Sequence, residues 1–135
     1  MKKIFITGAT GYLGEAICQE AHQRGYAIRA LCRREPAAGM FPEGVEVCRG
    51  DITDLSSLAR ALQDCAAVIH AAGLVSIWRR DPVDFYRINV EGTENVLRAA
   101  GEKKIRVVYT SSFFALGPTS AAPANESWQN PNVPF

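Results

Sequence analysis

Apolar residues in this chain fall into two kinds of segment, short continuous runs and longer stretches with helical spacing. The runs are rich in β-branched and aromatic residues, and they predict strands at residues 3–7, 26–32, 45–48, 67–70 and 106–110. Nearly continuous apolar strands that alternate with helices are typical of a parallel sheet covered on both faces. The pattern therefore predicts an α/β fold with a doubly wound parallel sheet of about five strands, in the order 3-2-1-4-5.

Three helices are predicted from apolar positions three or four residues apart. The first covers residues 12–24 and ends at Gly25. The second follows Asp54 as its N-cap, and the third opens at Asp81 and Pro82. The positions expected to be buried on the first and third helices are Leu13, Ile17, Cys18 and Ala21, and Phe85, Ile88, Val96, Leu97 and Ala100.

Length and charge narrow the class of protein. The chain has 135 residues, which suits a single domain, and its net charge of +1 gives no reason to expect nucleic acid or an anionic membrane as a partner. No apolar run approaches the roughly 20 residues that cross a bilayer, and Gly8 and Gly11 interrupt the apolar start before it reaches signal-peptide length. We therefore expect a cytoplasmic protein. Residues 117–135 show no apolar period and are predicted to be mostly loop.

The four cysteines, Cys18, Cys32, Cys48 and Cys65, are spread along the chain without a Cys-x-x-Cys pair. Each lies inside a strand-like or helical apolar pattern. We interpret them as small buried hydrophobic residues rather than as disulfides or metal ligands.

Three glycines at equal intervals, Gly8, Gly11 and Gly14, separate the first predicted strand from the first predicted helix. A glycine-rich turn in this place directs backbone N–H groups and the positive end of the helix dipole at one spot, where a pyrophosphate fits. Gly8 would allow the tight bend, Gly11 the close approach of the phosphates, and Gly14 the close packing of the helix on the sheet. We interpret the turn as a dinucleotide-binding site, although a plain turn between strand and helix has the same pattern.

Residues 7–14 read Thr-Gly-Ala-Thr-Gly-Tyr-Leu-Gly, with glycines spaced Gly-x-x-Gly-x-x-Gly. In this segment the sequence resembles the extended branch of the short-chain dehydrogenase/reductase superfamily, the NAD-dependent epimerase/dehydratase family. Further matches follow in order at residues 50–52, 70–73, 89–93 and 109–112, so the resemblance covers essentially the whole chain. Within the branch, the chain looks most like dihydroflavonol-reductase-like and sugar-epimerase-like members.

The resemblance implies a Rossmann domain that binds a nicotinamide nucleotide, in an oxidoreductase or a sugar-nucleotide epimerase or dehydratase that works by hydride transfer. The turn that would hold the pyrophosphate comprises Gly8, Thr10, Gly11, Tyr12, Leu13 and Gly14. Asp51 would accept a hydrogen bond from the adenine amine and Ile52 would cover a face of the ring, although Asp51 could instead be a turn residue. The small residues Ala71, Ala72 and Gly73 would pass beneath a ribose and the pyrophosphate.

The choice between NAD and NADP depends on the end of the second strand. An acidic residue about 20 positions after the glycines would favour NAD, but Arg33 and Arg34 stand there instead. A guanidinium can bind a phosphate through two hydrogen bonds. The sequence therefore favours NADP, with NAD as the alternative because Glu35 follows. The two arginines could also be solvated charges of a loop.

Members of the family move the substrate proton with a tyrosine that is followed four residues later by a lysine, and a Ser or Thr hydrogen-bonds the same oxygen. The resemblance gives the latter role to Ser112 and places Thr110 beside the cofactor. It identifies Asn89 as the family's helix asparagine, which could equally bond a neighbouring loop. No Tyr-x-x-x-Lys occurs in the 135 residues. We therefore expect the N-terminal part of a longer enzyme with a small-molecule substrate, lacking its C-terminal substrate domain and inactive alone.

A non-catalytic module that binds or senses NAD(P) is the alternative, because it would keep the glycine turn and dispense with the Tyr-Lys pair. The family usually pairs through its long helix, which implies a homodimer and exposed apolar surface along residues 81–100. We interpret His70 as a hydrogen-bonded structural imidazole rather than a catalytic base. Trp78 could line the nicotinamide pocket or anchor a loop.

Overall fold

The computed structural model describes residues 2–75, 83–119 and 123–128. Its elements are, in chain order, β1 (Lys3–Thr7), α1 (Tyr12–Gln23), β2 (Ala27–Cys32), β3 (Glu46–Arg49), α2 (Leu55–Ala61), β4 (Cys65–His70), α3 (Val83–Tyr86), a π-helical turn (Arg87–Glu91), α4 (Gly92–Glu102), β5 (Arg106–Tyr109) and a 3₁₀ helix (Phe113–Leu116). Every predicted strand is present, with small shifts at the ends. The predicted first residues of the third helix, Asp81 and Pro82, lie outside the described residues, and the described part of this helix begins at Val83.

All strand pairs are parallel and follow the order β3-β2-β1-β4-β5, which confirms the predicted fold. β1 pairs with β2 on one side, where Phe5 is opposite Arg29, and with β4 on the other, where Phe5 is opposite Val68. The loops that leave the carboxyl ends of β1 and β4 therefore diverge to opposite sides. Open α/β sheets bind ligands in the crevice at such a switch point.

Side chains alternate across β1, so each face of the sheet has its own core. Phe5 packs on the face covered by α2 and α4, together with Leu58 and Val96. The next residue, Ile6, packs on the opposite face with Cys18 of α1. Helices on both faces thus hold β1 in place, and the turn that follows it starts from a rigid strand.

The helix that precedes β5 is interrupted by the π-helical turn Arg87–Glu91. Beyond the turn, Val96 and Ala100 are buried as predicted. The prediction that Leu97 is buried is wrong, because its side chain is 47% exposed. α4 rests on the sheet through Val96, Ala99 and Ala100, and Leu97 lies on the flank of the helix, about 100° around from Val96.

Arg29 is a buried cation in β2 that the sequence analysis did not single out. Its guanidinium donates to the carbonyl oxygens of Ala61 and Gln63, each at 2.7 Å, and so satisfies carbonyls at the end of α2. It also pairs with Glu46 at 2.8 Å, and Lys3 binds the second oxygen of that carboxylate at 2.9 Å. These hydrogen bonds lower the pKa of Glu46. The network ties β2 and β3 to the C-terminal end of α2.

Cys18, Cys32 and Cys65 are buried and Cys48 is half-buried, all as free thiols. Burial raises the pKa of the Cys18 and Cys48 thiols to about 11. The interpretation of these residues as small hydrophobic side chains is confirmed.

Among the described residues after β5 there is one short helix, Phe113–Leu116, which was not predicted from the sequence. Residues 117–119 and 123–128 contain no helix or strand, in agreement with the predicted loop. The indole Nε1 of Trp128 donates to the carbonyl oxygen of Leu116 at 2.9 Å and folds this segment back. Within the described ranges, no helix has the length and apolar character needed to cross a membrane.

Candidate functional site

An open cleft of about 360 Å³ lies at the carboxyl ends of the strands. It is lined by Gly8, Thr10, Gly11, Leu31, Arg33, Asp51, Ile52, Ala71, Ala72, Gly73, Leu74 and Ile88. Ligand pockets typically span roughly 300–1,000 Å³, so the cleft is large enough for part of a nucleotide. Most of the predicted cofactor-binding residues therefore meet in one place. Among the residues that the structure describes, no group of His, Cys, Asp and Glu side chains could hold a metal ion.

The glycine turn brings three backbone segments into contact. Gly8 has a φ of +72°, and a Cβ there would lie 2.5 Å from the amide nitrogen of Ala72. Gly14 approaches the same turn from α1, since its Cβ would lie 2.6 Å from the carbonyl carbon of Gly8 and would overlap the carbonyl oxygen. The prediction that Gly14 allows close packing on the sheet is corrected in detail, because Gly14 packs α1 on the turn itself. Side chains at either position would force these segments apart.

α1 begins at this turn with backbone donors alone. Gly11 is the N-cap residue and makes no side-chain cap hydrogen bond. The first-turn N–H groups of Tyr12, Leu13 and Gly14 have no partners inside the helix, and the helix dipole makes this end positive. The Tyr12 side chain is 99% exposed. The prediction that Leu13 is buried is wrong, because its side chain is 46% exposed. Both residues present backbone N–H groups at this end of the helix.

Gly11 lines the cleft at the start of α1. A Cβ on Gly11 would approach only the carbonyl oxygen of Gly8, at 3.3 Å. The space in front of Gly11 is thus a cradle that a side chain would fill and that a phosphate oxygen can occupy. The residues present therefore fit the pyrophosphate of a dinucleotide.

The two arginines at the end of β2 occupy different positions. Arg33 lines the cleft, whereas Arg34 is exposed outside its lining. Within the described part of the chain, no carboxylate forms an ion pair with Arg33. Its guanidinium can therefore bind an anion in the cleft. Glu35 is also exposed.

Asp51 and Ile52 form the part of the cleft that follows β3. Asp51 Oδ1 accepts hydrogen bonds from the amide and the hydroxyl of Thr53, both at 3.0 Å. The turn role that the sequence left open is thus present, and Asp51 also faces the cleft. Ile52 is buried, and its carbonyl oxygen accepts from Asn95 Nδ2 at 3.0 Å. Packing and hydrogen bonds hold this loop in one conformation.

The loop after β4 forms the floor of the cleft with Ala71, Ala72, Gly73 and Leu74. Asn89, in the π-helical turn, holds this loop from the side. Its Oδ1 accepts from the Leu74 amide at 2.7 Å and its Nδ2 donates to the Leu74 carbonyl oxygen at 3.0 Å. Asn89 is not among the residues that line the cleft. Of the two roles considered from the sequence, bonding a neighbouring loop is the one the structure shows.

His70 lies at the end of β4 and is fully buried. Its Nδ1 is 2.6 Å from Thr7 Oγ1, its Nε2 is 3.0 Å from Thr93 Oγ1, and its ring stacks on Tyr109 with centroids 5.3 Å apart. Burial lowers the pKa of His70 to about 4. The interpretation of His70 as a hydrogen-bonded structural imidazole is confirmed.

Thr110 and Ser112 follow β5. The Thr110 amide donates to the His70 carbonyl oxygen at 3.0 Å and extends the pairing of β4 with β5. Ser112 is exposed, and its carbonyl oxygen accepts from the Ala115 amide at 3.0 Å in the 3₁₀ helix. Neither residue is among those that line the cleft, so their assigned roles stay predictions. Trp78 lies outside the described residues.

Three apolar lining residues, Leu31, Leu74 and Ile88, were not predicted as part of the site. Leu31 precedes the end of β2, Leu74 is held by Asn89, and Ile88 precedes Asn89 in the π-helical turn. Only their positions in the sequence could have indicated that they line the cleft, because residues near the carboxyl ends of parallel strands meet at one edge of the sheet. They give the cleft apolar walls suited to a planar ring.

Comparison with known proteins identifies the family to which the chain belongs. The profile of the NAD dependent epimerase/dehydratase family matches residues 4–135. The chain belongs to this family, as the glycine turn and the strand order indicated.

Relatives of known sequence and structure include reductases and epimerases. The chain is 36% identical over 134 residues to a putative dihydroflavonol 4-reductase of Synechocystis sp., covering 94% of this chain and 38% of that protein. A short-chain dehydrogenase/reductase superfamily protein of Agrobacterium tumefaciens with bound NAD has a TM-score of 0.80 at 26% identity, covering 93% of this chain and 38% of that one. The UDP-glucose 4-epimerase of Thermus thermophilus, in complex with NAD, has a TM-score of 0.81 at 25% identity, covering 94% and 43%. The chain thus spans well under half the length of these relatives.

Proposed function

We propose that this chain is the nucleotide-binding portion of an NAD(P)-dependent oxidoreductase or of an epimerase or dehydratase of the sugar-nucleotide type. The observation that carries the proposal is the glycine turn, where Gly8 and Gly14 allow backbone contacts that a Cβ would prevent and Gly11 leaves a cradle open in the cleft. Backbone N–H groups and the N-terminus of α1 converge there and favour a pyrophosphate. When bound, the cofactor accepts or donates a hydride at its nicotinamide ring.

The preferred cofactor in this proposal is NADP, with NAD as the alternative. Arg33 lines the cleft near the end of β2, where the adenosine ribose of a bound dinucleotide is expected. A guanidinium in this place would bind the 2′-phosphate of NADP with two hydrogen bonds. Arg34, which is exposed, would add charge to the same edge.

The proposed catalytic part of this chain is Ser112, whose hydroxyl would hydrogen-bond the reacting oxygen of a small-molecule substrate. The proton itself would be moved by a Tyr-x-x-x-Lys pair, which does not occur among the 135 residues. We therefore propose that these residues bind the nucleotide without turning over substrate. The second candidate is a module that binds or senses NAD(P) without catalysis, because the glycine turn and the cleft would serve it equally well.

Pairing of two chains is part of the proposal. Val83, Tyr86, Val90 and Leu97 are exposed apolar side chains on the long helix before β5. The sequence predicted exposed apolar surface along residues 81–100, although it placed Leu97 itself on the buried side. Apolar surface on a helix is commonly covered by a partner, and a homodimer would cover it here. We propose a cytoplasmic location, which the four free cysteines support because thiols persist in a reducing compartment.

The test is to map nucleotide binding by amide chemical shifts of the ¹⁵N-labelled chain, with NADPH and NADH added in separate titrations. We expect the largest shifts at Gly8, Gly11 and Ala72, and small shifts at Gly25 and Gly101, which lie away from the cleft. Shifts that are absent, or spread evenly over the chain, would contradict the proposed function.

A further inference from the structure

A chain of hydrogen bonds under the cleft joins its glycine wall to its helical wall. The Ala72 amide donates to Thr7 Oγ1 at 3.3 Å, and Thr7 Oγ1 is 2.6 Å from His70 Nδ1. On the other side of the ring, His70 Nε2 is 3.0 Å from Thr93 Oγ1, whose hydroxyl donates to the Asn89 carbonyl oxygen at 2.8 Å. The side chains of Thr7 and His70 are fully buried.

The protons of this hydrogen-bond network have an arrangement that satisfies every group. Thr93 has one hydroxyl proton, which the Asn89 carbonyl takes, so Thr93 can only accept from His70 Nε2. A neutral imidazole carries one N–H, so Nδ1 must accept the hydroxyl proton of Thr7. Thr7 in turn accepts from the Ala72 amide. With the Thr93 hydroxyl donating to Asn89, this arrangement assigns His70 the neutral Nε2–H tautomer.

Both ends of this series of hydrogen bonds reach the loop that forms the floor of the cleft. At one end, Thr7 holds the Ala72 amide, and Gly8 lies directly against that amide. At the other end, the Asn89 side chain holds the amide and the carbonyl of Leu74. Ala72 and Leu74 line the cleft, whereas His70 does not. The imidazole thus links two groups of cleft residues without being part of the cleft.

We propose that His70 and Thr93 are positioning residues for the nucleotide, because their hydrogen bond sets the separation between the Gly8 turn and the π-helical turn. The inference rests on the proposed function, since the affinity concerned is that for a nicotinamide nucleotide. Loss of the Thr93 hydroxyl would leave the buried imidazole N–H without its partner and would remove one hydrogen bond from the Asn89 carbonyl oxygen. The floor of the cleft would then lose its fixed distance to the helix.

The experiment compares Thr93→Val with Thr93→Ser in the 135-residue chain. Valine keeps the volume of threonine and removes the hydroxyl, whereas serine keeps the hydroxyl. Val96→Ala is the matched control, because Val96 is a buried residue of the same helix that has no part in the hydrogen-bond chain. For each variant we would measure the Kd for NADPH and, without nucleotide, hydrogen exchange of the Ala72 and Leu74 amides.

We expect Thr93→Val to weaken NADPH binding about tenfold and to speed exchange of the Leu74 amide by a similar factor, as for loss of one buried hydrogen bond. Thr93→Ser should stay within about twofold of the unsubstituted chain. Val96→Ala should lower stability and leave the Kd unchanged. Unchanged affinity in Thr93→Val, or an equal loss in Val96→Ala, would overturn the inference and leave the proposed function standing.

Failure of the unsubstituted chain to bind either nucleotide would instead contradict the proposed function, and with it the role of the two residues in nucleotide binding. Hydrogen exchange separates the two cases. Faster exchange at Leu74 in Thr93→Val without any nucleotide binding would show a structural link alone, which also overturns the positioning role.

Discussion

One half of the cleft is lined by backbone groups and the other half by side chains. The half around the glycine turn consists of backbone groups at Gly8 and Gly11, and behind it lies the fully buried His70. The half at the ends of β2 and β3 consists of side chains. Arg33 is exposed there, and the Asp51 carboxylate accepts a hydrogen bond from the Thr53 amide in the turn that follows β3. The first half is fixed by the fold, whereas the second depends on which side chains stand there.

This difference separates affinity from selectivity. Backbone N–H groups at a helix N-terminus bind the pyrophosphate that NAD and NADP share, so under the proposed function the glycine half would determine whether a dinucleotide binds. The adenosine ends of the two cofactors differ by one phosphate, so Arg33 would determine which of them binds more tightly. We therefore expect substitutions on the glycine side to weaken both nucleotides strongly, and substitutions on the arginine side to weaken one nucleotide selectively.

The largest effect is expected for Gly14→Ala, which disrupts the packing of α1 on the glycine turn. The new Cβ would overlap the Gly8 carbonyl, so α1 and the turn must separate, at a cost of about 3 kcal/mol in the free energy of unfolding. NADPH binding should fall by roughly a hundredfold, as the N–H groups of α1 move away from the cleft. Urea unfolding and a fluorescence titration measure the two quantities.

The control for this variant is Gly101→Ala. Gly101 is near the end of α4, and a Cβ there would meet no atom within 4 Å. This substitution should raise the free energy of unfolding by about 0.5 kcal/mol and leave binding unchanged. Equal stability of Gly14→Ala and the unsubstituted chain would show that the turn can adjust, and that the glycine half is not rigid.

A second prediction uses pH to test the buried layer behind the glycine half. His70 has a pKa of about 4 in the folded chain because it is buried, against an ordinary value of 6.5. The unfolded chain therefore takes up the proton first, and the stability of the fold falls as the pH drops from 6.5 towards 4. The expected loss is about 1.4 kcal/mol per pH unit, or about 2 kcal/mol between pH 6.5 and pH 5.

Urea unfolding at a series of pH values measures this loss. Glu46, whose pKa is lowered by its hydrogen bonds to Arg29 and Lys3, adds a loss of stability only as the pH falls below about 4.5. A stability that stays constant from pH 7 to pH 5 would mean that His70 is charged or exposed in the folded chain, against the account of the buried layer.

A third prediction concerns the open cradle, and separates binding from stability. In Gly11→Ala the added Cβ has room except for the Gly8 carbonyl oxygen at 3.3 Å, and the extended backbone at this position suits alanine. Stability should change by less than about 1 kcal/mol. Binding of NADPH and NADH should weaken about tenfold and equally, because the methyl group occupies the space of a phosphate oxygen. Unchanged affinity would place the phosphates elsewhere.

Much of the fold could be predicted because the information is local. The three inner strands, β2, β1 and β4, are short apolar runs in which consecutive residues, such as Phe5 and Ile6, are buried on opposite faces. The edge strands β3 and β5 are mostly exposed. The N-cap Asp54 was predicted from its own position, and its Oδ1 accepts from the Ser56 amide at 2.9 Å. The π-helical turn could not be predicted, because apolar spacing is similar on both sides of it. The exposure of Leu97 follows from which edge of α4 meets the sheet, and spacing does not reveal that edge.

The candidate site divides in the same way. The glycine turn was visible because its three residues are close in sequence and each has a distinct steric requirement. The contact of His70 with Thr7 joins residues 63 positions apart, and that of Asn89 with Leu74 depends on a loop conformation. Periodicity carries no information on such pairs. Arg29 was missed for the same reason, since its partners come from two other elements.

The most direct test of the account is the ratio of the Kd values for NADH and NADPH, measured by ligand fluorescence for the unsubstituted chain and for Arg33→Asp. We expect the unsubstituted chain to bind NADPH more tightly, and Arg33→Asp to weaken NADPH about tenfold or more while leaving NADH within about twofold. Arg34→Asp, at the neighbouring exposed position, should have a smaller effect. Equal weakening of both nucleotides, or no change in either, would contradict the division of the cleft into an affinity half and a selectivity half.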